Sequence, residues 1–122
     1  MAQDPRYGEP ATTIIKRVED GEQVATSTLV ISQVCSYLKW KRRSDVIPIF
    51  LTFLRSLPNL VKVDTTFLDF TQAQELCIEH NLHWGLWDDL IIAEQMKHLK
   101  IDEIYSNDVD FDTIPGIKRI FK

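Results

Sequence analysis

Helix-period segments alternate with short β-branched runs along the whole chain, and that alternation limits the available folds more than any other feature. A strand, a crossover helix and a second strand build parallel pairing, so the order points to an α/β domain with a mostly parallel sheet. Asp4 to Pro10 is loop-like, and a helix begins near Ala11, with Ile14, Ile15 and Val18 on one face and Asp20-Gly21 at its end. Gln23 to Thr26 reads as a strand. Ser27 or Thr28 then caps a helix through Leu29, Val30, Val34, Tyr37 and Trp40, which stops in Lys41-Arg42-Arg43, where cations suit the helix dipole. Ser44-Asp45 starts a third helix with Pro48 in its first turn, and Ser56-Leu57-Pro58-Asn59 breaks it. Leu60 to Val63 is a second strand. A fourth helix spans about Asp69 to His80 with Asn81 closing it, a fifth opens at Asp88, and strands follow at Glu103 to Tyr105 and Ile117 to Phe121.

At 122 residues the chain suits one domain, 1–122, whose core can bury roughly two-thirds of the unfolded surface, so neither disulfide nor structural metal is needed for folding. Its 14 basic and 18 acidic residues give a formal charge of -4, which excludes a generally basic nucleic-acid coat and leaves room for a local patch. Cys35 and Cys77 sit among apolar residues on helices with no second Cys nearby, and read as reduced core thiols. No apolar run approaches the ~20 residues of a membrane span, and the first residues lack a signal peptide's apolar segment. A soluble cytoplasmic protein is expected.

The densest chemical signal is Ser106-Asn107-Asp108-Val109-Asp110-Phe111-Asp112, which sets three carboxylates on alternate positions just after a strand. Ligands gather at the carboxyl ends of parallel strands. A calcium loop is excluded, because Thr113 stands where an EF-hand needs Gly and Arg119 where it needs Glu. Such carboxylates suit Mg²⁺ or Mn²⁺, and they equally suit an acidic turn that caps its own backbone amides. A second signal is Trp87-Asp88-Asp89-Leu90. Stepping about 100° per residue puts Ile92, Met96 and Leu99 on one side of that helix and Glu94, Lys97 and His98 on the other, with both acids on the apolar side. One acid is explained by capping; a second, projecting from a buried stripe, needs a partner or a metal. Gln33 is a third, an amide one turn from Leu29, Val30 and Tyr37. His80, His83 and His98 lack ligand-like spacing and read as structural or solvent-facing. Lys39, Lys41, Arg42 and Arg43 form the one dense basic run, a solvated helix end or a phosphate contact.

These segments together resemble a known family. Ala25-Thr26-Ser27-Thr28-Leu29-Val30-Ile31, Trp87-Asp88-Asp89-Leu90-Ile91 and the stretch from Ile104 to Gly116 occur in the order and spacing of the PIN domain, closest to its VapC-like toxin ribonucleases. The resemblance runs from about Asp4 to Phe121. It implies a three-layer α/β/α fold and a Mg²⁺- or Mn²⁺-dependent endoribonuclease in which metal-activated water attacks an RNA phosphodiester. By position, Asp88 and Asp108 match metal-binding acids, Asp110 a more variable acid, and Ser106 a supporting hydroxyl; Asp89 and Asp112 match no essential position. Lys41, Arg42 and Arg43 are the expected substrate contacts. The resemblance also implies a homodimer and a VapB-like antitoxin whose Arg or Lys reaches the acids, with no role for a membrane.

Two departures from the family pattern stand out. The family's first strand, ending in Asp-x-Asn or Asp-x-Ser and lying in the middle of the sheet, has no counterpart here, so Met1 is expected to be an internal residue of a longer product. Gln33 stands where the family usually carries Glu, and an amide can ligate a metal or hold water but adds no charge. The alternative function is therefore a catalytically impaired PIN-like binding or scaffold module, and a third reading keeps the acids but takes flap DNA as substrate.

Overall fold

Ser27 ends one element and starts the next. In the computed structural model, which describes residues 16–120, strand β1 (Val24–Ser27) runs directly into helix α1 (Thr28–Trp40). Ser27 keeps an extended backbone, φ −96° and ψ 145°, and its Oγ accepts a hydrogen bond from the Leu29 N–H at 3.1 Å. That satisfies one of the donors a helix start leaves open. The chain leaves α1 at Lys41, and Arg42 turns left-handed at φ 59°. A single 3-10 turn, Ser44–Val46, leads into α2 (Ile47–Arg55), whose first turn accommodates Pro48 because no intrahelical bond is asked of its nitrogen. Strand β2 (Leu60–Val63) then pairs in parallel with β1, from Val24 opposite Leu60 to Ser27 opposite Val63. The Asn59 side-chain amide donates to the Val18 and Glu22 carbonyls and so fixes the entry to β2.

Two compact units meet in the chain at Asp64 and Thr65. The second holds α3 (Phe67–Glu79), α4 (Trp87–His98), β3 (Glu103–Tyr105) and β4 (Lys118–Ile120). β3 and β4 are parallel, with Glu103 opposite Lys118 and Tyr105 opposite Ile120. The α/β class and the parallel pairing are those the alternation implies. Among the described residues, however, the strands form two sheets of two rather than one sheet, each strand having a partner on one side. The expected loop at Asp4 to Pro10, the helix start with Ala11, Ile14 and Ile15, and Phe121 lie outside the described residues. No helix among the described residues is long and apolar enough to cross a membrane.

α3 starts at Phe67, two residues before the expected Asp69, and the reason is a capping box. Thr66 Oγ1 accepts from the Asp69 N–H at 3.3 Å, while Asp69 Oδ2 accepts from the Thr66 N–H at 2.9 Å. Asp69 is also buried, and the same Oδ2 accepts from Gln95 Nε2 of α4 at 3.1 Å. Gln95 Nε2 reaches Thr65 Oγ1 as well, and His98 Nδ1 stands 3.8 Å from Asp69 Oδ1. Ala73 and Cys77 on α3 and Leu90 and Ile91 on α4 are fully buried, and both cysteines are free, with Cys35 half-buried.

The one-sided reading of α4 does not hold. Leu90, Ile91, Ala93, Glu94, Gln95 and Met96 are all buried, whereas Leu99, expected in the core, is 41% exposed. A helix enclosed on most sides loses the polar face that periodicity relies on. Thr66→Ala is expected to cost about 1 kcal/mol as a lost cap, and Asp69→Ala about 3, because it also strands buried donors. Urea unfolding of the two variants measures this, and equal losses contradict the network.

Candidate functional site

Just after β3 the side chains at alternate positions bond the backbone two residues ahead. Ser106 Oγ accepts from the Asp108 N–H at 3.0 Å, and Asp108 Oδ1 accepts from the Asp110 N–H at 2.9 Å, capping the 3-10 turn Val109–Thr113. Thr113 Oγ1 closes the turn by donating to the Asp110 carbonyl at 2.7 Å. Phe111 and Ile114, three residues apart and so on one side of a 3-10 turn, are buried and pin it to the protein. The residues between them face solvent. Pro115-Gly116 then reverses the chain, with Gly116 at φ 82°, a backbone that favours glycine.

This turn meets the first turn of α4. Carboxylate oxygens of Asp89, Asp108 and Asp110 all lie within 4.8 Å of one another. Asp108 and Asp110 are exposed and Asp89 is half-buried. None of the three forms an ion pair among the described residues. Burial, then the charges of Asp108, Asp110 and Asp88, push the Asp89 carboxyl up to about 6 from an ordinary 3.8. Exposed carboxylates at such separations repel by ~1 kcal/mol in water and by ~3 kcal/mol at an effective dielectric of about 20. Acidic side chains gathered this closely, each with an oxygen to offer, fit a hard divalent cation such as Mg²⁺ or Mn²⁺.

The expected site residues are distributed unevenly. Asp108 and Asp110 lie together, and the α4 acid beside them is Asp89, while Asp88 is exposed and lies outside the cluster. The two differ by about 100° of helix, and at that rotation Asp89 is half-buried while Asp88 is exposed. Both capping and clustering, offered as alternatives for the turn, occur at once: Asp108 caps with one oxygen and keeps the other. Asp112 is held away by Arg119, whose Nε and Nη2 bond its two oxygens at 3.1 and 3.2 Å. Ser106 supports the turn through the Asp108 N–H.

Gln33 does not sit on an apolar face. Its side chain is exposed, because Leu38 is the one fully buried residue of α1 and neighbouring Tyr37 is itself 55% exposed. Lys41, Arg42 and Arg43 are exposed at the end of α1. Lys41 Nζ lies 4.9 Å from the Trp40 ring centre and 5.8 Å from that of Tyr37, and Arg43 pairs with Asp45 at 3.3 Å. His83 Nδ1 accepts from the Gly85 N–H at 2.8 Å, a capping role that agrees with its structural reading.

The PIN domain family profile matches residues 5–117. VapC ribonuclease Mb1869c of Mycobacterium bovis is 30% identical over 101 residues, covering 82% of this chain and 74% of that protein. Ribonuclease VapC13 of Mycobacterium tuberculosis matches with the same identity and coverage. No solved structure gives a significant match.

Since the Asp89 carboxyl is raised to about 6 in the fold and is 3.8 otherwise, folding binds a proton between those values. The resulting penalty is absent below about pH 4, grows through about pH 6 and is complete at neutrality. Asp89→Asn, which keeps the shape and removes the charge, should raise stability at pH 7 by ~1 kcal/mol, solvent screening reducing the full effect, and change nothing near pH 4. Urea midpoints at the two pH values decide it; a loss of stability at pH 7 contradicts the repulsion.

Proposed function

The chain belongs to the PIN domain family, and from that membership and its acidic cluster we propose that it is a VapC-type toxin ribonuclease dependent on Mg²⁺ or Mn²⁺. The observation that carries this reading is the meeting of Asp89, Asp108 and Asp110, 19 and 21 residues apart from the first, at one end of β3. Those three side chains would hold the ion. Bound there, a divalent cation supplies activation of water for in-line attack on an RNA phosphodiester and neutralises charge on the phosphate.

The chain's own groups do the rest. Asp89 is the acid held partly protonated by burial and its neighbours, and a cation there would favour its ionised form as a ligand. Ser106 holds the Asp108 amide and thereby aims the turn. Arg119 is hydrogen-bonded to Asp112 and forms no ion pair with the three clustered acids. Gln33 adds no charge and has an exposed amide, so it is not counted among the ligands. The exposed ends of Lys41, Arg42 and Arg43 suit contacts to RNA phosphates. A VapB-type antitoxin whose basic side chain reaches the carboxylates would silence the enzyme, and a homodimer in the cytoplasm completes the reading.

Titration calorimetry with Mn²⁺, alongside cleavage of single-stranded RNA, tests this. The protein should bind Mn²⁺ tighter than millimolar and cleave. Asp89→Asn and Asp108→Asn should lose binding by at least the ~10–100-fold seen on weakening a metal shell, and Asp112→Asn much less. Affinity should fall as pH drops below about 6, where Asp89 regains its proton. Neither binding nor cleavage would leave the impaired binding module as the surviving reading.

For the basic end of α1, charge reversal at Lys41 or Arg42 should weaken RNA binding by ~1 kcal/mol per lost phosphate contact, an effect that shrinks at high salt. Arg43, already paired with Asp45, should matter less. Electrophoretic shifts at two salt concentrations report it, and salt-independent losses would assign the run to helix solvation.

A further inference from the structure

An open groove of about 410 Å³ lies beside the start of α4, lined by Phe67, Phe70, Thr71, Gln74, Trp84 and Trp87. Its rings approach one another at 6.1–6.3 Å between centres. Their planes are inclined by 78° for Phe67 and Phe70, 38° for Phe70 and Trp87, and 45° for Trp84 and Trp87, so no ring lies flat on another. Phe67 is 81% and Trp84 53% exposed. Large aromatic surfaces are costly to leave in water, and contiguous ones mark binding sites.

The lining selects the occupant. It contains no charged side chain, so a phosphate finds no ionic partner in it. It does contain the exposed amide of Gln74, which has no hydrogen-bond partner among the described residues and offers both a donor and an acceptor. Exposed ring faces beside a free amide match a neutral planar group with hydrogen-bonding edges, which is the chemistry of a nucleobase. Position agrees. Trp87 and Asp89 share the first turn of α4, about 200° apart around an axis that is ~10–12 Å across with its side chains. A strand laid over the end of this helix, with a phosphate at the carboxylates, brings a flanking base to the groove rather than the base at the cleaved bond.

We propose that this groove is a stacking subsite for an unpaired base of single-stranded RNA that flanks the bond cleaved at the acidic cluster. The proposal rests on the ribonuclease reading above. It predicts contact with the base face and Gln74-dependent preference among bases, not contact with the backbone.

The test compares wild type, Trp84→Leu and Phe67→Leu, both exposed positions whose variants are checked for fold by circular dichroism. Binding of a short single-stranded RNA is followed by fluorescence anisotropy, and cleavage is recorded in parallel. One oligonucleotide is intact and others carry single abasic sites walking away from the cleaved bond. Each variant should bind intact RNA roughly tenfold more weakly, within the range base–aromatic stacking spans. One abasic position should weaken wild type to the same degree and leave the variants unchanged. If wild type cleaves but both variants bind as it does, or no abasic position matters, the subsite is overturned while the ribonuclease reading stands. A wild type that neither binds nor cleaves RNA removes both. Variants that keep RNA binding but change oligomeric state by light scattering assign the groove to a protein contact and overturn the proposal.

Discussion

Three carboxylates with oxygens within 4.8 Å of each other, none of them in an ion pair among the described residues, are the constraint around which this part of the second unit is organised. Water moderates the repulsion at Asp108 and Asp110, which are exposed, and does so less at Asp89, where burial is the largest cause of the raised carboxyl pKa. A fold keeps such an arrangement only if other contacts offset it. Here the offset is local. Phe111 and Ile114, three residues apart, are buried and anchor the turn, each contributing ~1.5–3 kcal/mol. Capping by Ser106 and Asp108 spends side-chain oxygens on backbone donors that would otherwise be open.

Much of this was legible in the sequence where local chemistry decides. Leu60 to Val63 and Glu103 to Tyr105 are strands as expected, Ser27 is the cap of α1, and the Pro115-Gly116 reversal and the exposed basic end of α1 follow from residue type. The Thr66-x-x-Asp69 box is also present in the sequence, with Asp69 the third residue of the helix rather than its first. Other features are tertiary. Nothing in the period of α4 tells that Glu94 is buried and Leu99 exposed, because enclosure by several neighbours replaces the two-sided environment that the period describes. Gln33 shows the converse, since apolar neighbours one turn away predict burial only where a partner element covers them.

The choice between Asp88 and Asp89 is the sharpest case. Both begin the same helix, both precede Leu90, and a step of about 100° separates them, so composition and spacing cannot rank them. Rotation of α4 about its axis ranks them. That rotation is fixed remotely, by Gln95 bonding Asp69 and Thr65 and by Leu90 and Ile91 filling the core. Turning the helix by one residue to aim Asp88 at the turn would pull Gln95 off a buried carboxylate and bring fully buried side chains toward water, at ~1–3 kcal/mol for each such loss.

The same rotation carries Trp87 to the aromatic side of α4's first turn as it carries Asp89 to the acidic side, because about 200° separates them. An apolar stacking surface and a polyanionic cluster would interfere if adjacent on one face, since the desolvation that favours the rings would raise the cost of the charges. Opposite placement around one helix end lets each keep its own solvent environment while both remain within reach of one extended ligand. The buried contact of α3 with α4 thus sets where both surfaces lie around this helix end.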